Sequence, residues 1–281
     1  DQLATRYMIR AGFDPQEMAN FLKVMENFSK VQKKILGDNK KVSELLLTHP
    51  TSSKRVSEVI KNSSESVSYK PIIGREVFLK KIDGILFGDK PEDGFFYKNK
   101  FIHKKLDFAF DFDESFFFFN NPNYLLGIHD DETKIIFNID KNENIDDLKY
   151  FARWAKISKK NILNYSQKKQ NDFEISSSVV KKPNNLLKLV LIKSNDKLYR
   201  FMLITDEKKF EYQKIKFEKV VSSFEKVSKS VSLQKIHPPR IRILKNSNKK
   251  NFMKDIINSS GLQKKYSDEI FNSINNIINN E

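Results

Sequence analysis

The sequence predicts an α+β fold: a helical opening, a central antiparallel α/β segment and a small closing region. Three observations carry this. Apolar residues recur at spacings of three and four between Leu3 and Phe28, which marks amphipathic helices. Short alternating runs broken by turn residues fill the middle of the chain, as expected for strands and hairpins. Of 281 residues 39% are hydrophobic, 24 of them Phe, which is enough apolar material for a real core and excludes a disordered chain.

Leu3, Ala4, Tyr7, Met8 and Ala11 share a helical face, and Gly12 stands where that helix would stop. Asp14-Pro15 restarts the chain, since Asp caps and Pro is tolerated in the first turn. The next apolar face is Met18, Phe21, Leu22, Met25 and Phe28. After the polar loop Gly37–Lys41 come Leu45–Ser52 and a further helix at about Ser53–Asn62, entered through Pro50 and a Ser/Thr cluster. Phe78, Ile82, Ile85 and Leu86 form a short amphipathic stretch, and Gly88–Gly94 is dense in turn residues.

Strands follow. Gly94–Tyr97 and Lys100–His103 frame a hairpin about Lys98-Asn99, and Leu106–Phe112 places Leu and three Phe on one face. Phe116–Phe119, four Phe in a row, reads as buried strand before an apolar docking face. Tyr124–Ile128 and Lys134–Ile139 are the next strands. Asp146–Lys156 is a helix with Leu148, Phe151, Ala152 and Ala155 inward, and it holds the single Trp154. Leu186–Ile192 and Leu198–Ile204 make a second hairpin, and a helix spans about Phe210–Val227. His237-Pro238-Pro239 is a rigid linker, followed by a strand at Arg240–Leu244, helices at Asn251–Asn258 and Ser267–Asn279, and Gly261 between them. The regions are therefore 1–66, 67–235 and 236–281.

The formal net charge is +15, from 51 Lys+Arg against 36 Asp+Glu. Only eight of those cations are Arg, the residue suited to bidentate reading of phosphate and guanine. Lys is interleaved with acids from Lys23 to Lys265, so a solvated Lys-rich surface is expected and a nucleic-acid partner is not. No cysteine is present, which excludes thiolate chemistry and disulfides. The four histidines, His49, His103, His129 and His237, include no His-Glu-x-x-His pair. Gly-rich phosphate loops and Gly-x-Ser-x-Gly are likewise missing. Asp111–Glu114 and Asp130–Glu132 lack calcium-loop spacing and read as solvated turns. No apolar run approaches the roughly 18–20 residues of a membrane span.

Asp1-Gln2-Leu3-Ala4-Thr5-Arg6-Tyr7-Met8, then Arg10-Ala11-Gly12-Phe13-Asp14-Pro15 with Met18, then Leu47-Thr48-His49-Pro50 with Arg55, resembles the M48 family of zinc metallopeptidases. Ile82–Asp89 with Gly94-Phe95, His103 and Leu106–Phe110 is similar to the extension after the peptidase domain in members of alphaproteobacterial type. The resemblance implies that residues 1–66 are the last helices of a zincin domain, 67–235 an antiparallel α/β domain of the PsbP kind, and 236–281 a LysM-like or capping tail. It further implies a zinc endopeptidase acting on misfolded or envelope proteins, in the periplasm or at the membrane. In such enzymes two His and a Glu hold the metal and another Glu activates its water. None of those four residues lies in this chain, so the chain alone is expected to bind no zinc and cleave nothing.

Asp1 matches the Asp of the family's Glu-x-x-x-Asp motif, where it would orient a ligating imidazole; an exposed terminal Asp is the other reading. His49 is either close to metal and substrate or bonded to backbone at a helix entry. Arg55 either pairs with an active-site carboxylate or is a surface cation. The tail has Asn248-Lys249-Lys250 where LysM modules have Gly-Asp-Thr, so a structural cap stands beside peptidoglycan binding. A non-catalytic protein- or peptidoglycan-binding module of the envelope is the alternative function.

Overall fold

The computed structural model describes residues 2–36, 57, 59, 61, 70–143, 145–170, 173–194, 196–245 and 251–275. Its elements in chain order begin with helices α1 (Gln2–Arg10), α2 (Gln16–Leu36) and α3 (Arg75–Ile82). Strands β1 (Phe95–Tyr97), β2 (Lys100–His103), β3 (Phe108–Asp111), β4 (Phe117–Asn121), β5 (Tyr124–Ile128) and β6 (Lys134–Lys141) follow. Helix α4 (Asp147–Ala155) precedes β7 (Ile162–Gln170), β8 (Phe173–Lys181), β9 (Leu186–Lys193) and β10 (Lys197–Thr205). Helices α5 (Phe210–Ser222), α6 (Val231–Lys235), α7 (Phe252–Ser259) and α8 (Ser267–Ile274) close the chain.

The fold is mixed α and β with antiparallel sheets, and the chain divides into two compact units instead of three successive regions. The first contains residues up to Ile85 together with Arg240–Ser259 and Tyr266–Glu281; the second is Leu86–Pro239 with Ser260–Lys265. The tail expected at 236–281 is thus no separate module.

In the first unit, Gly12 at φ +79° ends α1, a left-handed conformation that glycine adopts without strain. The Asp14 carboxylate accepts from the Gln16 amide at 2.9 Å and caps the start of α2. Ala19, Leu22 and Val59 form a small buried cluster with Met18 against it. Helix α8 packs on α2, with Lys34 Nζ 2.6 Å from Glu269, which explains why the last helix joins the first unit. Residues 240–243 form no strand. They are extended and bonded to the turn after α3: Gly84 N–H donates to Ile241 O, and Ile241 N–H to Ile85 O, both at 2.9 Å. Phe78 and Ile85, expected in an amphipathic stretch with Ile82 and Leu86, are exposed, as is Val77.

The second unit is built on a seven-stranded antiparallel sheet of order β4-β5-β6-β10-β9-β8-β7, with a three-stranded sheet β1-β2-β3 beside it. One meander, β4 to β6, meets another, β7 to β10, through β6 and β10, with Phe137 opposite Phe201. One face of the large sheet carries Phe137, Ile175, Val190, Ile192, Tyr199, Phe201 and Leu203, packed with Phe108 and Phe110 of β3 and Phe217, Val220 and Phe224 near α5. Aromatic rings interlock there at centroid separations such as 4.6 Å for Phe137 and Phe201 and 4.8 Å for Tyr199 and Phe224. On the other face Tyr150, Phe151 and Ala155 of α4 cover Val180, Leu187, Leu189, Leu191 and Leu198.

Leu106–Phe112 contributes only four residues to β3, and Ala109 between the two rings is buried against Phe95, Ile102 and Val227. The strand is buried on both faces, not one. Helix α5 ends at Ser222, short of the expected Val227, because Ala109 and Glu225 exchange two backbone hydrogen bonds of 2.9 Å that pull the chain into an extended bridge. Strands β7 and β8 had no counterpart in the sequence reading.

Gly127 faces the ring of Phe118, and a Cβ built there would lie 2.5 Å from Cζ. Gly127→Ala is expected to cost about 1–3 kcal/mol by overpacking, read as a lower urea midpoint with an unchanged slope; an unchanged midpoint would show that the ring is free to move.

Candidate functional site

Asp1, His49 and Arg55, the site residues expected from sequence, lie outside the described residues, as does most of the helix expected at 53–62. Among the described residues no group of three His, Cys, Asp or Glu side chains could hold a metal ion. His103 is buried against the Phe108 ring, 5.4 Å between centroids, and its Nδ1 accepts from the Leu106 amide at 3.3 Å. His129 lies 5.2 Å from the Phe116 ring with Nδ1 2.9 Å from Asp131 Oδ1. Burial pushes both imidazoles down from their usual range. Both are structural, and His237 is exposed.

The densest polar constellation sits where α4 meets β6 and β10. Arg200 Nε donates to Asn138 Oδ1 at 2.8 Å, and its Nη1 donates to Asp140 Oδ2 at 2.9 Å and to the Tyr150 hydroxyl at 3.0 Å. Tyr150 donates to Asp140 Oδ2 at 2.5 Å. The guanidinium stacks on Trp154 at 5.3 Å. The register explains the meeting: Arg200 lies opposite Asn138, two residues from Asp140 on the same face. The bond from Tyr150 holds the Asp140 carboxyl below its usual range, while burial and then that same bond push the phenol up to about 12. Tyr150 stays protonated and Asp140 ionised near neutral pH, so the phenol donates and the carboxylate accepts within the group.

A second constellation surrounds Asp147, 4% exposed at the start of α4. Lys193 Nζ is 2.6 Å away, Gln167 Nε2 donates at 3.0 Å and the Tyr165 hydroxyl at 3.4 Å. Burial would raise this carboxyl, but the Lys193 ammonium and the Gln167 amide outweigh it and hold it low. Its position at a helix N-terminus adds to the same effect. Both constellations pin α4 to the sheet.

Beyond α4 the same sheet face continues over β4, β5, β6 and β10, where Phe117, Phe119, Leu126, Ile136, Met202 and Ile204 are half-buried. Phe117 and Phe119 touch edge to face at 5.1 Å. The run of four Phe is thus split by the strand's alternation: Phe116 and Phe118 enter the core, and Phe117 and Phe119 line this face. Sequence reasoning missed Arg200. Its one signal was an Arg between Tyr199 and Phe201 in a chain that otherwise prefers Lys.

No family model matches the chain. No curated protein matches it either. Among solved structures it is similar to the cyanobacterial PsbP of Synechocystis sp. PCC 6803, at 13% identity and TM-score 0.37, covering 50% of this chain and 98% of that one. LpqN of Mycobacterium tuberculosis, described as involved in cell envelope biogenesis, is similar at 13% identity and TM-score 0.30, covering 42% of this chain and 82% of that one. A Bacteroides thetaiotaomicron protein is similar at 10% identity and TM-score 0.34, over 46% of this chain and 48% of that one. Among the described residues no helix is long and apolar enough to cross a membrane.

Two carboxyls in the second unit give opposite pH dependences. Burial raises Asp89 from 3.8 to about 6 despite the Asn120 amide beside it, with Asp93 adding to the rise. A raised acid is destabilising once ionised, so Asp89 lowers stability as pH climbs from 3.8 through about 6. Asp89→Asn is expected to gain about 1 kcal/mol at neutral pH, after allowing for solvent screening, and nothing below pH ~4. Asp131 is held down to about 2; burial opposes this, but bonds from Thr133 and Gln213 win. Its contribution is present above 3.8 and lost as pH falls through about 2. Asp131→Asn is expected to flatten that acid limb in denaturant melts at stepped pH; parallel limbs for variant and parent would refute it.

Proposed function

We propose that this chain is the non-catalytic C-terminal part of an M48-type zinc metalloendopeptidase of the cell envelope, in which residues 86–239 form a protein-binding module. The motif run from Asp1 to Arg55 brings the family to the reading. The structural observation that carries it is an apolar surface on α1 and α2 beyond the one their own unit buries. Leu3 and Tyr7, one helical turn apart, are 56% and 59% exposed, and Phe21 and Phe28, two turns apart, 57% and 38%. Large apolar residues repeated at helical spacing in solvent mark a contact face, and a helix bearing zinc ligands would cover it in the longer enzyme. Protein and peptide substrates, zinc bound by upstream residues and an envelope location all belong to this proposal.

A second reading, a stand-alone binding module, is favoured by the half-buried face around Phe117, Phe119 and Met202, whose flexible and aromatic side chains suit loosely specified apolar segments. The two readings part on chemistry.

The purified 281-residue chain is expected to hold no stoichiometric zinc and to leave casein intact. The same reading frame extended upstream is expected to encode a His-Glu-x-x-His helix, to take up zinc and to cleave casein until a chelator is added. An extended chain without that helix would sink the enzyme reading and leave the binding module.

A further inference from the structure

Strand β4 is an edge of the large sheet: β5 pairs with one side of it, and among the described residues no strand pairs with the other. At Phe118 that outer side is closed by a side chain. The Phe118 N–H donates to Gln263 Oε1 at 2.7 Å, and Gln263 Nε2 donates to the Phe118 carbonyl at 2.7 Å. The carboxamide copies the peptide group of a neighbouring strand, and Gln263 is only 7% exposed. The rest of Ser260–Lys265 is held at its ends. Gly261 O accepts from Lys98 N–H at 2.9 Å, and the Lys264 amide donates to Asn99 Oδ1 at 3.0 Å. Lys264 pairs with Glu114. Lys265 Nζ donates to the Ser115 carbonyl at 2.6 Å and lies 2.9 Å from Asp130 Oδ1.

These contacts are polar, the Gln263 carboxamide stands in for a strand's peptide group, and those of the two lysine tips are ionic. Helix and sheet interiors elsewhere in this unit are held by interlocked rings. Here the recognition elements are one amide fork and two ammonium groups reaching Glu114 and Asp130. One side-chain amide thus takes the place of a strand's peptide group at a sheet edge, and the ammonium groups beside it add recognition by charge, while residues 260–265 run through bends and a turn.

We propose that the outer edge of β4 is a recognition site for a basic polypeptide segment bearing a glutamine, and that Ser260–Lys265 is its resident occupant. The ligand class follows from the site: an amide that can donate and accept at Phe118, followed by two cations for Glu114 and Asp130. The resident keeps the edge closed; a competing segment of the same chemistry displaces it. The inference stands apart from the peptidase reading, since it uses only contacts within the second unit.

The test uses the full chain and a labelled synthetic peptide of residues 259–266. The double variant Gln263→Ala, Lys264→Ala vacates the amide fork while keeping the Lys265 anchor, and is expected to bind the peptide at least about tenfold more tightly than the parent chain. Glu114→Lys in that background is expected to weaken binding again. A double variant that melts like the parent yet binds no tighter overturns the proposal. Hydrogen exchange on the unmodified chain gives a second measurement that needs no variant. The Phe118 amide is expected to exchange about tenfold faster at roughly 1 M salt than at low salt, as the lysine pairs are screened, while Val190 in the sheet centre does not change. A Phe118 amide that exchanges only together with Val190 would show a fixed part of the sheet and overturn the proposal.

Discussion

The ring of Phe110 is the contact on which the second unit depends. It meets Phe101 of the small sheet at 5.8 Å and, in the large sheet, Phe137 and Phe201 at 5.2 Å each and Phe118 at 6.4 Å. One side chain therefore ties the hairpin beside it, the first strand of one meander and the centre of both. Rings so placed bury a large area and also restrict each other's orientation, because edge-to-face packing tolerates little rotation. The consequence reaches the edge of the sheet. Phe118 is locked inward by this cluster and by the missing side chain of Gly127, so its backbone N–H and C=O are fixed in direction. A fixed donor and acceptor at a sheet edge can be met by one rigid amide, and Gln263 meets them.

Much of this was legible in sequence because it rests on local rules. Lys98, at φ +53°, makes the tight turn between β1 and β2, as the Lys98-Asn99 pair between apolar runs suggested. Asp146 accepts from the Lys149 amide at 3.0 Å and starts α4 where the sequence places the beginning of that helix. The strand Lys134–Lys141 and the hairpin of β9 and β10 appear because their apolar residues are continuous or alternate. β7 was not legible because its residues are mostly exposed on both faces, so no alternation marks it. β8 hid its pattern behind Ser176, Ser177 and Ser178, small hydroxyls that face helix and sheet without reading as apolar. Nor do the spacings of Val77, Phe78 and Ile85 say that a face will remain open. The constellation at Arg200 joins residues 138, 140, 150, 154 and 200, and only the β6–β10 register, set by tertiary pairing, brings them together.

The Lys-rich composition has a structural use that the charge total conceals. Several lysines donate to main-chain carbonyls instead of standing in solvent: Lys104 to Gln234 at 2.8 Å, Lys182 to Ala155 at 2.7 Å, Lys209 to Asp131 at 2.8 Å and Lys265 to Ser115 at 2.6 Å. Each of these carbonyls belongs to a turn or a helix end, where no backbone partner is at hand. An ammonium on a flexible stem has three donors and reaches such sites without demanding the planar geometry of a guanidinium. Arg200 uses the planarity of its guanidinium between Trp154, Asn138 and Asp140. Part of the +15 is thus internal scaffolding. These four cations are spread over separate turns and helix ends, where each satisfies a carbonyl of the fold itself.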